Sequence, residues 1–132
     1  MTTTDLIQAY YAHFNAGNWD AMLELLSNDV AHDVNESGRE SGKAAFKAFF
    51  ERMNASYAEN IADLSVTVNS DGSRAAAEYV VSGTYQRTDD GLPEARGQRY
   101  RLPGGAFFEI RDGKISRVTN YYNLQTWLQQ IK

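Results

Sequence analysis

Residues 106–123, AFFEIRDGKISRVTNYYN, decide the fold. Asp112-Gly113 is a two-residue turn of the kind that closes tight hairpins, and the segments on either side carry aromatic and β-branched residues suited to strands. The arms read as antiparallel strands, Ala106 to Arg111 and Lys114 to Asn123. Alternation then sends Val118, Asn120 and Tyr122 to one face and Arg117, Thr119 and Tyr121 to the other.

Working back from this hairpin, the second half of the chain reads as an antiparallel meander. Gly97 to Leu102 is a strand separated from Ala106 by Pro103-Gly104-Gly105, residues suited to a bulge or sharp bend. Arg87 to Ala95, with Asp89-Asp90-Gly91 and Pro93, reads as an exposed loop placed to overhang a pocket mouth. Asn69-Ser70-Asp71-Gly72 turns a strand over Ile61 to Val68 into one from Arg74 to Gln86. Beyond Asn123, the tail around Trp127 is a short amphipathic helix or an extended segment.

The first half reads as helices. Thr4 caps a helix in which Leu6, Ile7, Tyr10, Tyr11 and Phe14 recur at three- and four-residue spacing, and Asn15-Ala16-Gly17-Asn18 ends it. A short helix follows with Trp19, Met22, Leu23 and Leu26 as its stripe. Ser27-Asn28-Asp29 closes it before a short strand, Asp29 to Asn35. Asn35 to Glu40 is a polar loop, and Ser41 caps a third helix with Phe46, Phe49, Phe50, Met53 and Tyr57 on its apolar side.

Composition limits the class. The chain has 132 residues, 42% of them hydrophobic and 23% charged, which is ordinary for one globular domain spanning 1–132. No apolar run approaches the ~20 residues of a membrane span, so no membrane partner is expected. The start lacks the basic and apolar regions of a signal peptide and there is no cysteine, which makes the cytoplasm the expected location. A net charge of −4 without a basic run argues against nucleic acid.

His32-Asp33 is the stretch with most chemical content. On a strand, Val30, His32 and Val34 share one face, and Ala31, Asp33 and Asn35 share the other. If the valine face is buried, His32 enters an apolar interior, either as a core histidine or as an acid, base or ligand clamp. The pair cannot act as a histidine–carboxylate couple, because its side chains diverge. A metal site is not expected, since no second histidine stands at ligand spacing; no glycine-rich strand-to-helix loop points to a phosphate or dinucleotide cofactor, and Ser, Cys and Lys nucleophile motifs are absent, so no cofactor is expected.

Helices segregated on one face of a curved antiparallel sheet make an α+β fold. The order of elements resembles the cone-shaped, cystatin-like fold of the nuclear transport factor two-like superfamily, three N-terminal helices on a curved sheet enclosing a pocket. Tyr10 with Asn15-Ala16-Gly17 and Leu26-Ser27-Asn28-Asp29-Val30 is similar to ketosteroid isomerases. Val81-Ser82-Gly83-Thr84-Tyr85, Gly91-Leu92-Pro93, Ala95-Arg96-Gly97 and Phe108-Glu109-Ile110-Arg111-Asp112-Gly113-Lys114-Ile115 are similar to SnoaL-like polyketide cyclases. The resemblance covers nearly the whole chain.

That resemblance implies a cofactor-independent isomerase or cyclase acting on a small, apolar, carbonyl-bearing molecule, or a binding or dimerisation module of the same fold. Tyr10 falls at the isomerase tyrosine. The isomerase base position lands on Val34, or on Asp33 if the register slips by one, and its protonated-acid position on Ala106, so the steroid isomerase set is incomplete. Asn120 falls where a cyclase places an acid, and an amide accepts no proton at neutral pH. The expected constellation is therefore His32 as base, Tyr10 as acid or oxyanion donor, and Asn120 and Tyr122 as orienting donors, with Asp33 as the alternative base. Tyr79, Tyr85, Phe107 and Tyr121 are many aromatics for a freely exposed sheet surface and predict a homodimer through the outer sheet face.

Overall fold

A computed structural model describes residues 1–34 and 37–132. Three helices and a short hairpin precede the main sheet. Helix α1 (Thr3–Ala16) is capped by Thr2 rather than Thr4: the Thr2 hydroxyl accepts from the Asp5 N–H and the Asp5 carboxylate accepts from the Thr2 N–H, each at 3.1 Å. This reciprocal box satisfies two backbone donors at once, which Thr4 cannot do from inside the first turn. Helix α2 (Trp19–Glu24) is shorter than its apolar stripe suggests, because Leu26 already begins strand β1 (Leu26–Val34).

Part of the expected loop before α3 is a strand. β2 (Gly38–Ser41) pairs antiparallel with β1, matching His32 with Glu40 and Asp33 with Arg39. Backbone pairing along the edge of β1 outweighs the polar character of these residues. Ser41 is therefore a strand residue, and Gly42 is the N-cap of α3 (Lys43–Ser56), without a side-chain cap. Asn35 and Glu36 lie outside the described residues.

Strands β3 (Tyr57–Val68), β4 (Arg74–Tyr85), β5 (Gln98–Arg111) and β6 (Lys114–Tyr122) complete a six-stranded sheet in the order β2-β1-β6-β5-β4-β3. All neighbours are antiparallel except β1 and β6, which run parallel. The expected break at Pro103-Gly104-Gly105 does not occur. β5 runs through it, with Pro103 opposite Val80 on β4 and one residue beyond the last β5–β6 pair, Gly104 with Tyr122. On that side there is no ladder for the missing proline N–H to interrupt. The bend falls on β3 instead, where the register shifts between Ala62 and Ser65 and Asp63 adopts a φ of 54°.

The inner face of the sheet meets α1 and α3. Leu6, Ile7, Tyr10 and Tyr11 of α1 are buried with Phe46 of α3 against Val30, Phe108 and Val118. Of the four aromatics expected on the outer face, only Phe107 and Tyr121 lie there. Tyr85 is fully buried and Tyr79 faces inward, because β4 is in register to send its odd-numbered residues to the core. A fourth helix, α4 (Leu124–Gln130), folds back on β5, with the Gln130 side chain bonded to the Arg101 backbone at both N–H and C=O.

Candidate functional site

A cavity of about 180 Å³ lies between the inner sheet face and the helices. Tyr10 and Phe14 of α1 line it with Phe49 and Met53 of α3, and Trp127 of α4 closes one end against Tyr57, Tyr100 and Tyr122. Its sheet side carries Val81, Leu102, Asn120 and Tyr122. Burial pushes the Tyr10 hydroxyl above the usual phenol range, with Tyr79 adding to the effect, so Tyr10 is a neutral hydrogen-bonding group at ordinary pH.

Two glycines shape the sheet side of the cavity. A Cβ on Gly83 would stand 2.3 Å from the Tyr100 ring, and one on Gly104 would stand 2.7 Å from the Tyr79 ring. Each tyrosine therefore lies flat over the glycine opposite it in the neighbouring strand. For Tyr100 the consequence is chemical: its hydroxyl crosses β4 and donates to the Glu59 carboxylate of β3 at 2.5 Å. Glu59, Gly83 and Tyr100 form one row across three strands.

Glu59 is exposed on β3, the edge of the sheet, where it lines both the cavity and an open surface groove beside Arg99 and Arg101, and its carboxyl meets the Tyr100 hydroxyl at the cavity wall. Desolvation there raises its affinity for a proton, and the Tyr100 hydrogen bond counters part of that rise. Among the described residues it has no ion-pair partner. The Asn15 side chain holds this edge in place by bonding both the N–H and the C=O of Ile61 at 2.8 Å, which also blunts the open strand. Tyr57 and Tyr85 pin the loop after β4 through Asp89 and the Pro93 carbonyl.

The structure separates the residues expected to work together. Tyr10, Asn120 and Tyr122 line one cavity. His32 is 1% exposed, stands between the Phe46 and Phe49 rings, and does not line the cavity. Its Nε2 lies 3.3 Å from Asn120 Nδ2, and its Nδ1 is buried without a hydrogen-bond partner among the described residues. Burial lowers the affinity of His32 for a proton, against the smaller opposing pull of Glu40 and Asp33. Among the described residues, Asn120 is the hydrogen-bonding group that links the ring to the cavity.

Asp33 faces away from the cavity. Arg39 grips it with two bonds, at 2.6 and 3.1 Å, and the Thr119 hydroxyl donates to it at 2.6 Å. These bonds, Arg39 first, hold its carboxyl down at about 2. The register placing His32 inward and Asp33 outward is set by the pairing with Val118 and Thr119 of β6, and Asp33 is not among the residues lining the cavity. Ala106, buried between Ala77 and Asn120, supplies no ionisable group.

Sequence reasoning missed Glu59 and Trp127. Glu59 belongs to no motif, and the strand was expected to start at Ile61. The signal that would have found it is the alternation Tyr57, Glu59, Ile61 continued back toward the helix. Trp127 becomes a wall only because α4 folds back on the sheet. Among the described residues no group of three or more histidines, cysteines or acids converges to hold a metal ion.

An open six-stranded sheet wrapped on helices around an aromatic cavity defines an α+β cone of the nuclear transport factor two-like class. Within that class the chain belongs to the SnoaL-like family: the model of the SnoaL-like domain matches residues 7–118. It is similar to a solved structure from Xanthomonas campestris pv. campestris described as a "putative polyketide cyclase", with 60% identity over 98% of this chain and 96% of that one and a TM-score of 0.97. A second structure so described, from Pseudomonas putida KT2440, is 58% identical over 100% and 99% of the two chains, with a TM-score of 0.98. A nuclear transport factor two-like protein of unknown function from Burkholderia pseudomallei K96243 shares the fold at 13% identity, covering 98% and 97%, with a TM-score of 0.84. No curated protein matches the chain.

Proposed function

We propose that the cavity is the active site of a cofactor-independent enzyme of the isomerase or cyclase type, which moves a proton on a small, largely apolar, carbonyl-bearing molecule. The observation that carries this reading is the convergence of polar groups from separate elements, Tyr10 of α1 with Asn120 and Tyr122 of β6, on a cavity otherwise walled by rings. A few directed polar groups in an apolar cleft are what a small-molecule site needs. Its volume is close to that of a cavity of about 150 Å³ known to take up benzene, so the fitting molecule has one ring with a short substituent or a compact fused pair. The similar chains described as "putative polyketide cyclase" support the same chemistry.

In this reading Tyr10 donates to the substrate oxygen, Asn120 and Tyr122 orient the substrate, and His32 is a positioning residue that holds the Asn120 amide. For His32 to take a proton directly, Asn120 would have to swing aside. The presence of an amide at position 120 favours a second reading, a non-catalytic binding module in the same cavity. Indan-2-one, whose α-protons exchange with D₂O through the enolate, separates the two. Faster exchange in the presence of the protein, slowed in Tyr10→Phe, is the expected result; binding without exchange would establish the binding module.

A homodimer packed through the outer sheet face belongs to the same proposal. Phe107 and Tyr121 are 50% and 55% exposed and stack edge to face at 5.8 Å, an apolar pair that a second copy would cover. Sedimentation of the wild type against Phe107→Glu tests it, with a change from dimer to monomer expected.

A further inference from the structure

We propose that Glu59 is the catalytic base and acid of this cavity, that Tyr100 is its positioning residue, and that the substrate is an aromatic ketone bound with its enolisable carbon toward the β3 edge. The proposal rests on the cavity being a substrate site and adds the group that moves the proton, which the other described residues of the site do not supply. Tyr10 is a neutral phenol, Asn120 an amide, and His32 is walled off behind Phe49 and Asn120. Of the described residues lining the cavity, Glu59 alone is a carboxylic acid.

The geometry is that of a prepared base. The carboxyl is presented by a strand whose edge is clamped by Asn15 two residues further on, and one oxygen is held by the Tyr100 hydroxyl. Tyr100 reaches it only because position 83 has no side chain. A glycine that weakens a strand without serving a turn marks a close approach, here one ring crossing a neighbouring strand. The titratable groups facing Glu59 are Tyr100 of β5 and Tyr79 of β4, and no cation ties it into an ion pair among the described residues. A carboxyl with an upward-shifted proton affinity is better matched to proton transfer near neutral pH than an ordinary glutamate.

The step balances within the cavity. The Glu59 carboxylate takes the proton from the carbon next to the carbonyl, and the C–H electron pair forms the enolate, whose oxygen is stabilised by hydrogen bonds from the cavity wall. The Glu59 carboxylic acid then returns the proton to carbon, to the same atom in an exchange or to a conjugated one in an isomerisation. No oxidant, reductant or metal enters.

The test uses the full chain with indan-2-one, reading binding from quenching of tryptophan fluorescence and catalysis from α-proton exchange in D₂O by NMR. Glu59→Gln should bind as the wild type does and lose exchange by about 10²- to 10⁴-fold, the usual worth of a positioned base. Tyr100→Phe removes a donor that favours the carboxylate, so the acidic limb of its pH–rate profile should move to higher pH, a change that a merely structural tyrosine does not produce. Exchange at the wild-type rate in Glu59→Gln, or an unmoved limb in Tyr100→Phe, overturns the assignment while leaving the cavity reading intact. A wild type that binds without exchanging overturns the assignment and leaves a binding module. A wild type that does not bind the ketone at all removes the cavity reading and the assignment with it.

Discussion

His32 Nε2 accepts a 3.3 Å hydrogen bond from Asn120 Nδ2, and this contact ties the first strand of the sheet to the last one in the chain. It converts a buried imidazole into the support of a cavity-facing amide. Burial lowers the proton affinity of the ring below that of the unfolded chain. Between this depressed pKa and the ordinary histidine value of about 6.5, the unfolded chain holds more protons than the native one, so stability falls as pH falls. Thermal melts at pH 7.5 and pH 5 should show this destabilisation in the wild type and a smaller difference in His32→Phe. The substitution itself should cost about 0.5–1.5 kcal/mol, the net worth of one hydrogen bond.

Gly83→Ala should be destabilising despite the high tolerance of strands for alanine over glycine. The new Cβ would meet the Tyr100 ring at 2.3 Å, so the ring must leave its place over β4. Overpacking of this kind costs about 1–3 kcal/mol, readable in a urea midpoint. Double substitution to Gly83→Ala with Tyr100→Ala should cost less than the sum of the two single changes, because the clash is with the ring and not with the strand.

Asp33→Asn should leave indan-2-one binding and exchange unchanged. The carboxylate faces away from the cavity and is held by Arg39 and Thr119. Its loss should cost about 0–1 kcal/mol at neutral pH, the range for pairs with an exposed partner. Its depressed pKa also means that the stability it contributes is present above the ordinary aspartate range and lost as pH falls toward about 2. Asp33→Asn should flatten that acid limb, as guanidinium-free acid titrations of the fold will show.

Trp127 should report ligand in the cavity and Trp19 should not. Trp127 lines the cavity and touches Tyr57, Tyr100 and Tyr122, whereas Trp19 packs outside it on Phe14 and Phe50. Indan-2-one should therefore quench fluorescence in Trp19→Phe and leave it nearly unchanged in Trp127→Phe. Steady-state titrations of the two variants check this directly.

Local patterns in the chain were enough to locate the first three helices, though not their caps and ends, together with the closing hairpin and the division of His32 from Asp33, since periods of 3.6 and 2 and a two-residue turn are encoded within a few residues. They also placed Val118, Asn120 and Tyr122 on a common face, and the structure turns that face inward. The Asn15-Ala16-Gly17 string was legible as a family likeness; its physical role, clamping Ile61 across 46 residues, was not. What only the tertiary structure decided is which residues share the cavity. Glu59, Gly83 and Tyr100 lie 24 and 17 residues apart and meet because strand register sets them in one row. Trp127 joins them because α4 folds back on β5. His32 is kept from the cavity by two phenylalanines of α3. Contacts of that kind depend on how elements pack, and no short-range pattern in the chain carries that information.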